Sequence, residues 1–477
     1  MSETPRRAVL IVGVLAVLVG IGVVDGGSGH ASVGQPVPAA TSSASSIGVP
    51  RRGAESSAWF CDGATAAGGY AQATMILTNP TPRPVTGTVT TVSPDAPPTP
   101  MSVPLAANSQ IEVVPAQASP GGSLASTVVF DGGGVGVTQV VSGPLGASIA
   151  PCASTTASHW YFADASTAPG DTLSLSLFNP TDTVAVVDVS FVVSTGVVAP
   201  PAYQGIDVPA DSLVVENVGD HVQNNPDVAT AVVALSGAVV AAELEATGPA
   251  GDGGPSVVLG ATATATTWSF AQNTDVANGT TLFHVFNPSD RPARVTVKIG
   301  LLQGEAEPVV MDVAADSTSA LDTRRLARLP TGTAFSATFV SGGGVGIVVD
   351  RHVSSPTGSP APEVGDVAAV AGGAVRWLLP ATYSSLTAES ALAVVNLNRA
   401  PVTVRLVMLS ATGLSPVPGF GRQRIRPGTP LIVSPSTGVP LGSVPMELVS
   451  SAPVAVELDA LPAGSPGVVV TPALPMG

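Results

Sequence analysis

The chain has 477 residues, of which 45% are hydrophobic, only 4% aromatic and 11% charged, with a net charge of −15. Its length exceeds what one compact domain holds and suits three or four. An acidic chain whose single lysine is Lys298 repels phosphate backbones, which argues against nucleic acid as a partner.

Val, Ala and Leu carry the apolar content, and 52 Gly with 45 Pro punctuate it. β-branched richness between dense turn formers predicts many short strands rather than helices.

In chain order, residues 1–7 form a polar tail carrying Arg6 and Arg7. Residues 8–24 follow as seventeen residues without a charge, closed by Asp25. That run is at the short end of a membrane-spanning helix and longer than the apolar core of a usual signal peptide. The arginine pair predicts a cytoplasmic N-terminus with the bulk of the chain outside. The expectation is an uncleaved single-pass signal anchor in the cell membrane. Secretion after cleavage near Gly29-His30-Ala31 is the alternative. Residues 25–55 are rich in Gly, Ser and Pro and read as a flexible stalk.

One phrase then recurs four times. Trp59, Trp160, Trp268 and Trp377 are all the tryptophans, spaced 101, 108 and 109 residues apart. Asn79, Asn179, Asn287 and Asn396 follow them by 20, 19, 19 and 19 residues. Each Trp opens an apolar strand (W-F-C, W-Y-F, W-S-F, W-L-L), and each Asn ends a second one. Asn-Pro is turn chemistry, because Asn tolerates turn geometry and Pro pre-sets φ at the next position. An alternating third strand follows, then a matched pair around a short polar turn, then two closing strands around a Gly-, Ser- or Pro-bearing turn.

Six or seven short strands per unit of about 100 residues is a β-sandwich pattern. The period exceeds the about 20–50 residues of solenoids and propellers, which favours independent beads. A β-propeller built from paired half-units is the alternative fold. Repeats fall at 56–154, 155–262, 263–372 and 373–477. Each tryptophan is expected to plug one core, contributing on the order of 2–3 kcal/mol; a surface tryptophan stacking on sugar is the competing reading.

The set W-x-F, L-x-N-P, alternating V-x-V, V-P-A-x-S and a final V-V-x-E resembles a repeat of uncharacterised actinobacterial envelope proteins. The resemblance covers roughly residues 55–475 and departs in the fourth copy, where Asn396-Leu397-Asn398 lacks the proline. It implies an extracytoplasmic location and Ig-like β-sandwich repeats after one N-terminal transmembrane helix. It supplies no activity.

Cys61 and Cys152 are the two cysteines, set near the start and the end of the first repeat. Outside the membrane they are expected to pair. The bond would close a loop of about 90 residues and contribute about 3–4 kcal/mol.

Catalytic and cofactor signatures are missing from the sequence. The runs Gly132-Gly133-Gly134-Val135-Gly136 and Gly342-Gly343-Gly344-Val345-Gly346 lack the Lys-Ser/Thr of a phosphate loop and read as turns. No pair among His30, His159, His221, His284 and His352 has a zinc-helix spacing. His284 reads as a half-exposed strand residue, and Asp350-Arg351-His352 as a solvated strand end. There is no G-x-S-x-G elbow. Asp62, Asp164, Asp171, Asp182 and Asp290 lack the density of a calcium loop.

The functional expectation is therefore a non-enzymatic, membrane-tethered extracytoplasmic protein acting in envelope structure or protein–protein interaction. Its partners would be the membrane, through the N-terminal helix, and envelope proteins or wall polymers. No cofactor is expected. A cell-wall glycan-binding module is the alternative.

Overall fold

Each Trp strand is hydrogen-bonded to the strand that returns about 70 residues later. The computed structural model describes residues 47–115, 120–144, 146–246, 254–274, 280–326, 329, 334–354, 364–382, 388–434, 437–462, 469–471 and 473–477. The expected membrane segment at 8–24 and most of the stalk lie outside the described residues. No helix among the described residues is long and apolar enough to cross a membrane.

Among the described residues the regular secondary structure is strand, apart from a few single-turn 3-10 helices. The Trp strands are Ser57–Thr65, His159–Phe162, Thr267–Thr274 and Ala374–Leu379. Each pairs antiparallel with a return strand, Trp59 opposite Val128, Trp160 opposite Val232, Trp268 opposite Phe339 and Trp377 opposite Leu448. The alternating third strands, Val85–Ser93, Ala185–Val193, Ala293–Leu301 and Val402–Ser410, pair with the far side of the return strands.

The Asn strands are Gln72–Asn79, Thr172–Asn179, Thr280–Asn287 and Ala388–Asn396. In the second and third repeats they lie in a second sheet. In the first and fourth that sheet is continuous with the Trp sheet, through the pairing of Thr65 with Gln72 and through the long strand Met446–Pro462. They sit between the polar-turn strand on one side and an exit strand on the other. A last strand flanks the exit strand: Gly146–Pro151, Pro255–Leu259, Val364–Ala368 or Val469–Thr471. Further along, the chain crosses to the Trp strand, as Ala153 opposite Phe60 and Ala261 opposite Tyr161. In the second and third repeats the two sheets share one core. In the second repeat Trp160, Phe162, Val187 and Phe191 meet Leu175, Leu177 and Val240 there.

The third strands alternate as expected, with Ala185–Val193 buried at every second residue over most of its length. The Asn strands do not alternate: Met75, Ile76 and Leu77 are all fully buried, as are Leu177 and Phe178. A strand buried on both faces needs a cover on each. One face meets its own repeat and the other meets the Trp sheet of the preceding repeat. Ala163, Val192 and Ala229 of the second repeat thus join Phe283, Phe286 and Val348 of the third in one cluster. Ala271 of the third joins Ala393, Val395 and Ala455 of the fourth. Val92 and Ala125 of the first lie in the core cluster of the second.

The repeats are therefore not independent beads. Residues 43–477 make one compact unit, and the order of contacts closes on itself. Leu378 and Leu474 of the fourth repeat pack with Met75, Leu77 and Val137 of the first. The approach is close: a Cβ on Gly136 would stand 2.5 Å from Leu378 and 2.8 Å from Leu474. Val49, within the segment expected as stalk, is 3% exposed and pairs in parallel with Met476. The last strands Gly146–Pro151 and Val364–Ala368 both lie against Pro255–Leu259, and Val469–Thr471 lies against Gly146–Pro151.

Candidate functional site

The recurring residues come first, because they hold the frame. All four tryptophans are at most 2% exposed. Their Nε1–H groups donate to equivalent carbonyls just before the exit strands: Trp59 to Val135, Trp160 to Val239, Trp268 to Ile347 and Trp377 to Val454. A ring so placed has no face for a sugar.

The four asparagines are equally buried, and each is a clamp. Asn179 Nδ2 donates to the carbonyls of Thr183 (2.7 Å) and Val208 (3.0 Å), while its Oδ1 accepts from Thr181 N and Oγ1. Asn79 and Asn287 repeat the pattern with Thr81 and Ser289. In the fourth copy Asn398 takes the hydroxyl residue's place beside Asn396. The clamped polar turn has positive φ at Asn108, Asp211, Asp316 and Gly428. Asn, Asp and Gly are the residues that tolerate that conformation. Cys61 and Cys152 are bonded, joining the Trp strand of the first repeat to the residue after its last strand.

The chemistry that varies lies between repeats. Three or four residues beyond each tryptophan the chain turns toward the next repeat, and a polar link forms there.

At the first junction Ser176 Oγ donates to Asp62 Oδ1 at 2.5 Å, and Gly63 N donates to the same oxygen. Gly63 sits at φ +77°, where a Cβ would stand 2.8 Å from Val257. Asp62 is 2% exposed, and its Oδ2 finds no hydrogen-bond partner among the described residues. Burial pushes its carboxyl up to about 7, against the lowering effect of Ser176 and Gly63 N–H.

At the second junction Ala163 N donates to Asp350 Oδ2 at 2.5 Å. Beside that bond, His284 Nδ1 stands 3.3 Å from Asp164 Oδ1 and 3.8 Å from Asp227 Oδ1. His352 Nδ1 stands 3.8 Å from Asp164 Oδ2. Asp164, Asp227 and His284 are the group among the described residues whose ligand atoms lie within reach of one ion.

The third junction is an ion pair. Arg351 Nη2 lies 2.6 Å from Glu457 Oε1, and Glu457 Oε2 accepts from the amides of Ala271 and Gln272. Arg351 also donates to Gln272 O and Asn273 Oδ1 and lies 5.3 Å over the Phe270 ring. At the fourth junction Gln110 Oε1 accepts from Ala381 N and its Nε2 donates to Ala381 O. Glu447 there pairs with Arg376 and with Arg52.

Two expectations are corrected. Asp350 and Arg351 are each 2% exposed, not a solvated strand end. His284 is 3% exposed rather than half-exposed. In both cases the next or preceding repeat covers the face that would otherwise meet water. Ser176, Glu457 and Gln110 were not singled out from the sequence. The available signal was a charged or polar residue interrupting an otherwise apolar strand, as Glu457 does in V-A-V-E-L.

The fold and junctions define a repeated all-β protein whose units are welded through buried polar contacts. The chain belongs to the family of unknown function DUF5719, whose model matches residues 130–436. No curated protein matches it. A solved structure, that of Thermotoga maritima 1070, is similar at 16% identity over 22% of this chain and 93% of that one, with a TM-score of 0.19.

Proposed function

We propose that this is a non-enzymatic, membrane-tethered extracytoplasmic protein whose four Ig-like β-sandwich units present a rigid surface to an envelope partner. The observation that carries the reading is the closure of four repeats into one body, from Val49 beside Met476 round through every junction. Such closure restrains each loop at both ends, which lowers the ordering cost of binding. The Cys61–Cys152 bond supports an oxidising compartment.

For the fold, one core shared by both sheets in the second and third repeats favours sandwiches. The cyclic order of repeats favours the propeller reading, but the strand order within a sheet is not consecutive in sequence. Contact through loops is favoured over strand addition at the edge Ala96–Leu105, where Pro97, Pro98, Pro100 and Pro104 withhold donors.

Crosslinking in intact cells followed by mass spectrometry tests the partner, and alkaline washing of membranes tests the tether. Recovery of a defined envelope protein, with the chain retained in washed membranes, is expected. Release of the whole chain by the wash would overturn the tether, and absence of any envelope crosslink would overturn the partner.

A further inference from the structure

The second junction differs from the other three in kind. Elsewhere the positions matching His284 are Ile76, Ser176 and Ala393, and those matching His352 are Val140, Leu244 and Asp459. At this junction two of the chain's five histidines converge on one buried aspartate, and a second aspartate joins them. Asp164 and Asp227 come from the second repeat, His284 and His352 from the third.

We propose that Asp164, His284 and Asp227 form a binding site for a divalent transition metal of the zinc type, which locks the second repeat to the third. The donor set decides the class. An imidazole nitrogen with carboxylate oxygens suits zinc and its neighbours, whereas calcium and magnesium take all-oxygen shells. Spacing agrees: ligand atoms bound tetrahedrally at zinc–ligand lengths lie about 3.3–3.6 Å apart. His284 Nδ1 stands 3.3 and 3.8 Å from the two carboxylates, and the ligand atoms of the three residues all lie within 4.8 Å of one another. Asp164 turns one oxygen to each histidine, Oδ1 to His284 and Oδ2 to His352.

The surroundings hold the donors and leave an entrance. His284 faces Asp350 across the strand pair, and Asp350 holds Ala163 N, which positions the adjoining Asp164. Asp164 and His284 have side chains 5% and 4% exposed, while those of Asp227 and His352 are 53% and 21% exposed. Two donors are thus fixed in the interior, and Asp227 closes the site from the solvent side, with His352 beside it at the other oxygen of Asp164.

The test uses the full-length chain, stripped with chelator and dialysed against zinc sulfate, with metal per chain measured by elemental analysis. One zinc per chain and a rise in melting temperature are expected, as are the visible bands of tetrahedral cobalt when cobalt(II) replaces zinc. Asp227→Asn, at an exposed position, should weaken zinc binding at least about tenfold, and Asp227→Asn/His284→Gln should abolish it. His159→Gln, outside the cluster, should bind as the wild type does, and circular dichroism checks that each variant is folded. Zinc uptake unchanged in a folded double variant would overturn the site. So would a wild-type chain that retains no zinc, or one from which calcium displaces zinc at equal concentration.

Discussion

Ser176 Oγ donates to Asp62 Oδ1 at 2.5 Å across 114 residues of sequence, from the Asn strand of the second repeat to the Trp strand of the first. The bond joins two repeats at a fully buried carboxyl, and that placement makes the junction sensitive to pH.

Unfolded, the Asp62 carboxyl ionises near 3.8; folded, burial raises it to about 7. Between those values the folded state holds a proton that the unfolded state has lost, so this group's contribution to stability falls as pH rises and levels off above about 7. Asp62→Asn removes the slope and leaves an amide where Oδ2 lacks a partner. At about pH 8 the variant should be the more stable by on the order of a few kcal/mol, with the gap closing toward about pH 4. Thermal melts of both proteins across that range check it; parallel curves would remove Asp62 as the cause.

The Arg351–Glu457 pair is enclosed, with side chains 3% and 8% exposed. Glu457→Gln leaves a guanidinium buried without its counter-charge, at a cost of about 3–5 kcal/mol. Adding Arg351→Met should recover part of that loss, because the unpaired charge goes with it. Urea unfolding of the single and double variants measures the coupling, and strict additivity would show that the two groups act separately.

Asn179→Ala removes two donated and two accepted hydrogen bonds in a site closed to water. A loss of about 2–4 kcal/mol follows. Asn179→Asp should be worse near neutrality, because a carboxylate would face the carbonyls of Thr183 and Val208, and should improve as pH falls. Melting temperatures at neutral and acidic pH distinguish the two variants.

The bond between Cys61 and Cys152 spans 91 residues. Reduction should lower stability by about 3–4 kcal/mol, read as a drop in melting temperature. Without reductant, neither thiol should take up an alkylating reagent by intact mass.

The sequence by itself determined what recurs. Trp59, Trp160, Trp268 and Trp377 each solve the same packing problem in their own repeat, and the four asparagines each tie the same turn. A problem solved four times leaves a period, and the period exposes strand content, repeat number and the core role of these side chains. With two cysteines in the chain, the pairing was legible as well. Only the tertiary structure decided that the repeats close on one another and what joins them. The links are Asp62 with Ser176, Asp164 with His284, Glu457 with Arg351 and Gln110 with Ala381. Each junction uses different chemistry between residues distant in sequence, so no interval repeats. A buried aspartate, histidine or arginine there looks in sequence like an exposed one, because the surface that covers it belongs to another repeat.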